Sequence, residues 1–162
     1  MVEHDGRRTA YEVTGDEGPA IACVHGSGGT GQLWRAQRGR LDPAVVTMDL
    51  SGHGVSDDIQ TPPGRQTLTR YARDVVAVVE QTEAEILIGN SLGGAVLIHA
   101  LVALDVSPRG VILIGSGAKL AVLEQLRSWL HDDWERAVTW LHEDDRLFHD
   151  ADPRMRRVSM AT

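Results

Sequence analysis

Short continuous apolar runs alternate along this chain with longer segments whose apolar residues recur every three or four positions. Residues 20–24, 45–48, 86–88 and 111–114 are runs of three to five largely apolar residues, the first behind Gly18-Pro19 and the second behind Asp42-Pro43. Runs this short, bounded by turn residues, predict parallel strands covered on both faces. A further short strand is expected over residues 8–13, after the turn at Asp5-Gly6. The clearest helical period covers residues 68–79. Leu68, Tyr71, Ala72, Val75, Val76 and Val79 fall on one face, with Thr67 as the expected N-cap. Residues 57–65, with Pro62, Pro63 and Gly64, read as a surface loop. Strands alternating with helices predict an α/β domain with a mostly parallel sheet, flanking helices and right-handed crossovers.

Beyond Gly117 the pattern changes. Leu120, Leu123, Leu126 and Leu130, then Trp134, Ala137, Val138 and Leu141, mark apolar stripes on two helices separated by residues 131–133. No strand pattern returns. Trp129, Trp134 and Trp140 fall in this segment, either lining a pocket or packing helix against sheet.

Composition narrows the classes of partner. The 162 residues suit one domain with a sizeable core, and the formal net charge of −7 offers no basic stripe for nucleic acid or an anionic membrane. The one dense basic patch is Arg154, Arg156 and Arg157. No run approaches the ~18 apolar residues of a membrane span, and residues 1–8 lack the apolar core of a secretory signal, so a soluble, cytoplasmic protein is expected. Cys23, the only cysteine, lies within an apolar run and reads as a small buried side chain. No metal-ligand spacing is present, and neither a metal nor an organic cofactor is expected.

The chemistry is concentrated in Gly89-Asn90-Ser91-Leu92-Gly93-Gly94, which follows one apolar run and opens into a helical one. In a sharp strand-to-helix turn the serine is held in a strained conformation with its Oγ exposed, and the glycines two residues before and after it let strand and helix approach closely. The N–H of Leu92 then lies at a helix start, where it can stabilise an oxyanion. A Gly/Ser loop without chemistry has the same local pattern.

His25-Gly26-Ser27-Gly28-Gly29-Thr30-Gly31, after the first buried strand, admits two functions. Gly26, Gly28 and Gly31, with Asp49 about 20 residues on, match a dinucleotide-binding fingerprint. Alternatively the loop supplies the N–H of Ser27 as a second oxyanion donor to Ser91. The opening histidine, the strand expected before this one and the separate serine turn favour the second. Gly52-His53-Gly54-Val55-Ser56 is by itself only a tight turn.

These three motifs, in this order and each after an expected strand, resemble the α/β-hydrolase fold family. Trp34 after the glycine loop and Gly115-Ser116-Gly117-Ala118-Lys119-Leu120 extend the resemblance. It implies Ser91 as nucleophile, the Ser27 and Leu92 amides as oxyanion hole, a core over residues 1–118 and the start of a helical cap over 119–162. A serine in this turn sets the chain apart from the dehalogenases and epoxide hydrolases of the same fold, which use aspartate. The implied substrate is a small apolar molecule carrying an ester, thioester, lactone or activated carbon–carbon bond.

The family places its catalytic acid and histidine after later strands. No acid occurs over residues 115–120, and neither His131, His142 nor His149 follows an expected strand. The chain is therefore expected to be an N-terminal portion, nearly inactive alone. A non-catalytic ligand- or partner-binding module is the alternative.

Overall fold

The apolar runs become strands of one sheet, whose inner members alternate their side chains between two covered faces. A computed structural model describes residues 1–62, 64–119 and 122–143. The chain divides into two units, Met1–Leu120 and Ala121–Thr162. In the first, β1 (Val2–His4) and β2 (Arg7–Thr9) form an antiparallel hairpin through Asp5-Gly6, both at positive φ. The main sheet has the order β3-β5-β4-β6-β7, comprising Tyr11–Thr14, Pro43–Met48, Glu17–Val24, Ile86–Asn90 and Gly110–Ile114. β3 runs antiparallel to β5, and the other pairings are parallel.

Along β4 the period-two alternation decides the layers. Ala22 and Val24 pack with Val46, Met48 and Leu87 against Ala72, Val75 and Val78 of α2 (Arg65–Thr82) and Val96, Leu97 and Ala100 of α3 (Leu92–Ala103). Ile21 and Cys23 point the other way, into a second cluster with Val45 and Trp34. Trp34 ends the 3₁₀ turn Gly31–Trp34, which runs into the four-residue helix α1 (Arg35–Arg38). Cys23 is fully buried, as its apolar surroundings in sequence imply.

Several expectations are corrected. The stretch expected as one strand over residues 8–13 is divided at Ala10 between β2 and β3, which belong to different sheets. Gly18-Pro19 does not delay β4, because a register irregularity between Glu17 and Ile21 absorbs the proline inside the strand. α2 begins at Arg65 with Gly64 at its N-cap, and the Thr67 hydroxyl, inside the first turn, donates back to the Pro62 carbonyl at 3.0 Å. Among the described residues β7 lies at the edge of the sheet, and Ile112, Leu113 and Ile114 are 49, 41 and 44% exposed, so here its apolar run does not signify two covered faces.

In the second unit, α4 (Glu124–Asp132) and α5 (Trp134–His142) are joined by Asp133 alone, whose carboxylate accepts the Arg136 N–H at 3.1 Å. Trp129 and Trp140 meet edge to face at 5.9 Å, with the Arg136 guanidinium 4.3 Å above the Trp129 ring. Pro63, Leu120, His149 and the patch of Arg154, Arg156 and Arg157 lie outside the described residues. Among the described helices none is long and apolar enough to cross a membrane.

Candidate active site

Ser91 stands between β6 and α3 with φ 50° and ψ −114°, a conformation that side chains rarely adopt. Its backbone is fixed on both sides. The Ser91 N–H donates to the Ile114 carbonyl at the end of β7, at 2.9 Å, and its own carbonyl accepts from Gly94 and Ala95 in the first turn of α3. Leu92 and Gly93 therefore open a helix whose first N–H groups have no carbonyl four residues behind them within the helix.

The two flanking glycines are demanded by space. A Cβ on Gly89 would sit 2.6 Å from the Gly94 nitrogen, and one on Gly93 would sit 2.5 Å from the carbonyl oxygens of both Val24 and His25. Strand and helix can cross this closely only where both residues carry hydrogen alone. The same packing brings the glycine loop to the serine. A Cβ built on Gly26 would lie 3.2 Å from Ser91 Cβ and 2.9 Å from Asn90 Oδ1. Ser27, the next residue, is exposed, and Ser91 and Leu92 are half-buried. Ser91, Leu92 and the loop carrying Ser27 thus converge on one corner of the sheet, at the C-terminal ends of β4 and β6.

The loop is tied down by buried polar contacts that sequence reasoning missed. His25 is fully buried, and its Nε2 accepts the Leu50 N–H at 3.0 Å. Nδ1 must then carry the proton, which it donates to the Gly26 carbonyl at 2.7 Å. Gly29 N–H donates to the same oxygen at 3.1 Å. Burial pushes the His25 imidazole down to about 4, and the nearby His53 adds to that fall, while the Gly26 bond and the Asp49 charge oppose it. The His53 ring lies 4.9 Å from that of His25, and His53 Nδ1 donates to the Ser51 carbonyl.

Asp49 links the two loops. Its Oδ1 accepts from Gly31 N–H at 2.8 Å and its Oδ2 from Val55 N–H at 3.1 Å. This geometry disfavours the dinucleotide reading of Gly26, Gly28 and Gly31. The loop leads into a 3₁₀ turn and a four-residue helix instead of a long pyrophosphate-facing one, and the carboxylate that would meet a ribose is already engaged.

Behind Leu50, Asp74 on α2 is fully buried. It accepts from Ser51 N–H at 2.8 Å, Ser51 Oγ at 3.0 Å and Arg7 Nη2 at 3.0 Å, with His4 Nε2 at 3.2 Å. The available signal was an acid three residues past Tyr71 on the apolar face of a helix. Within the first unit His4 is held by Thr9 and Asp74 and His99 by Thr69, while in the second His131 bonds to Asp132 and His142 to the Val138 carbonyl.

Comparison with known proteins accords with this architecture. Residues 21–161 match the model of the alpha/beta hydrolase family. Protein phosphatase methylesterase 1 of Mus musculus is 29% identical over 164 residues, covering 86% of this chain and 41% of the relative. A solved N-acyl homoserine lactone degrading enzyme superposes with a TM-score of 0.79 at 25% identity, over 99% of this chain and 63% of its own. A hydrolase of Pseudomonas aeruginosa gives 0.72 at 29% identity, over 100 and 66%. The chain spans about a third to two fifths of the length of the curated relatives it matches. With the family's model covering most of its length and the strand, turn and helix order in place, the chain belongs to the alpha/beta hydrolase family.

Proposed function

We propose that this chain carries the nucleophile and oxyanion hole of a serine hydrolase acting on a small, fairly apolar ester, thioester, lactone or activated carbon–carbon bond. The observation that carries the reading is Ser91 itself, a strained residue held between strand and helix with Gly26 packed against it. Oxygen esters are the favoured class within that range, since the similar proteins are named for a methylesterase and a lactone-degrading activity.

In this scheme Ser91 Oγ attacks the carbonyl carbon as a base takes its proton. The carbonyl π pair moves onto oxygen, where the Leu92 and Ser27 amides hold it. Collapse of the tetrahedral adduct expels the protonated leaving group and leaves an acyl-serine, which water then hydrolyses. The base and its supporting acid have no assigned residue. Without them, oxyanion and binding effects would sustain at most ~10³ to 10⁴-fold acceleration over water. Reading residues 119–162 as the start of a cap rests on the family resemblance.

Fluorophosphonate treatment of the protein expressed from its complete gene, followed by adduct mapping, tests the role of Ser91. A covalent adduct on Ser91 that disappears in Ser91→Ala is expected. A folded wild-type protein that acquires no adduct there would remove the role. The engagement of His4, His25 and His99 within the first unit favours one alternative, a ligand-binding module without turnover. Ligand affinity that survives Ser91→Ala, with no hydrolysis across a broad ester panel, would establish it.

A further inference from the structure

We propose that β1 is an acid-released strap: protonation of His4 frees it from α2, while β2 stays attached. Ser91 and the turn around it take no part.

The strap is held at one buried carboxylate. Asp74 Oδ1 accepts from Arg7 Nη2 and from Ser51 Oγ, both at 3.0 Å, and Oδ2 accepts from Ser51 N–H at 2.8 Å. His4 Nε2 reaches the same Oδ1 at 3.2 Å and the Thr9 hydroxyl at 2.8 Å. A carboxylate oxygen only accepts, so the neutral ring docks with its proton on Nε2. Hydroxyl and carboxylate share one ring nitrogen here, whereas a catalytic relay needs them on opposite nitrogens. The arrangement therefore serves attachment.

A second proton goes to Nδ1 and makes the ring a cation in crowded company. Arg7 on β2, Asp5 in the turn and Arg73 and Asp74 on α2 face it; Arg70 lies 3.6 Å from Asp5, and Glu80 lines the open groove beside His4. Glu3, its neighbour on β1, is exposed. Burial, with the like charges of Arg7 and Arg73, outweighs the attraction of Asp74 and Asp5 and holds the imidazole below its ordinary 6.5.

Little else holds β1. It pairs with β2 alone among the described residues, and Val2, its one apolar residue, is only partly buried against the core. β2 is fastened separately. The Arg8 N–H and guanidinium donate to the Asp57 carboxylate, the Arg8 carbonyl accepts from Asp57 N–H at 3.0 Å, and Thr9 is fully buried. A freed His4 titrates at its ordinary value and a docked one lower, so falling pH favours release. Asp5 and Asp57 are lowered by bonds from Arg73 and Arg8, so both stay charged at pH 5.

Hydrogen exchange of the protein expressed from its complete gene, at pH 7.5 and 5.0 and corrected for intrinsic rates, tests the strap. Protection of the β1 amides relative to those of α2 is expected to fall ~5 to 30-fold, the upper figure being the full ratio for an ordinary histidine at pH 5. In His4→Gln, whose amide can donate but cannot titrate, the change is expected to stay within about 2-fold. The His4 ring-proton NMR titration should have its midpoint below 6.5. Unchanged β1 protection in wild type, an equal fall in His4→Gln, an equal loss in α2, or a midpoint at or above 6.5 overturns the strap. If His4→Gln does not fold, wild type decides it: a lowered midpoint together with selective loss in β1 supports the strap, and any other combination overturns it.

Discussion

Ser91 illustrates how a single backbone conformation can set function against stability. A side chain at φ 50° and ψ −114° costs roughly 1–3 kcal/mol, which the surrounding contacts must offset. Those contacts are the Ile114 carbonyl on one side and the first turn of α3 on the other. Replacing Ser91 by glycine removes the steric strain and adds the chain entropy of glycine. The expected net gain is about 1 kcal/mol in urea unfolding, with complete loss of fluorophosphonate labelling. Gly93→Ala should behave in the opposite sense. Its methyl would meet two backbone carbonyl oxygens at 2.5 Å, so strand and helix must separate, and a loss of about 2 kcal/mol or more is expected in the same measurement. Equal midpoints for the two variants would show that the turn is neither strained nor close-packed.

At the scale of elements, α2 ends in a way that hydrophobic periodicity does not reveal. The apolar stripe stops at Val79, yet the helix continues to Thr82 and closes on Glu83 in the left-handed region at φ 52°, ψ 34°. The Glu83 N–H returns to the Val79 carbonyl, an αL termination that usually falls to glycine. Glu83 is exposed and makes this turn against its own Cβ. Glu83→Gly should therefore stabilise the protein by roughly 0.5–1 kcal/mol, read from the urea midpoint. No change would place the cost of the turn elsewhere.

The same contrast explains what the sequence made legible. Residues 45–48 and 86–88 are strands because burial selects continuous apolar runs, 111–114 form a strand by pairing with β6 although Ile112, Leu113 and Ile114 are exposed, and Leu68, Tyr71, Ala72 and Val75 identify α2 because one face must meet the sheet. The turn around Ser91 was legible because Gly89 and Gly93 have no substitute at those separations. Asp74 and the roles of His25 and Asp49 were not. Their significance depends on partners 23, 25 and 18 residues away along the chain, and no local period encodes such a separation. Gly18-Pro19 misled for a related reason, since a local breaker signal cannot show that a bulge will accommodate it.

For the molecule as a whole, the perturbed groups of the core define a window of pH in which the fold is stable. His25 is lowered from 6.5 to about 4 by burial. Above pH 6.5 the ring is neutral in both folded and unfolded chains. Between 6.5 and 4 the unfolded chain binds a proton that the folded one refuses, so stability falls as pH falls, by about 3 kcal/mol in total. His4 is also lowered, first by burial, and Asp5 and Asp57 are lowered by hydrogen bonds from Arg73 and Arg8, so each adds to the acid limb in the same sense. On the alkaline side, burial pushes the Cys23 thiol up from 9.0 to about 12. The unfolded thiol ionises first, so stability falls again as pH rises through that interval. Urea unfolding free energy should therefore be level between pH 6.5 and 9 and decline on either side. His25→Asn should flatten the acid limb and Cys23→Ala the alkaline one, each at some cost to the plateau. If wild type and His25→Asn lose the same free energy between pH 7 and 4.5, the buried neutral imidazole is not what makes this fold acid-sensitive.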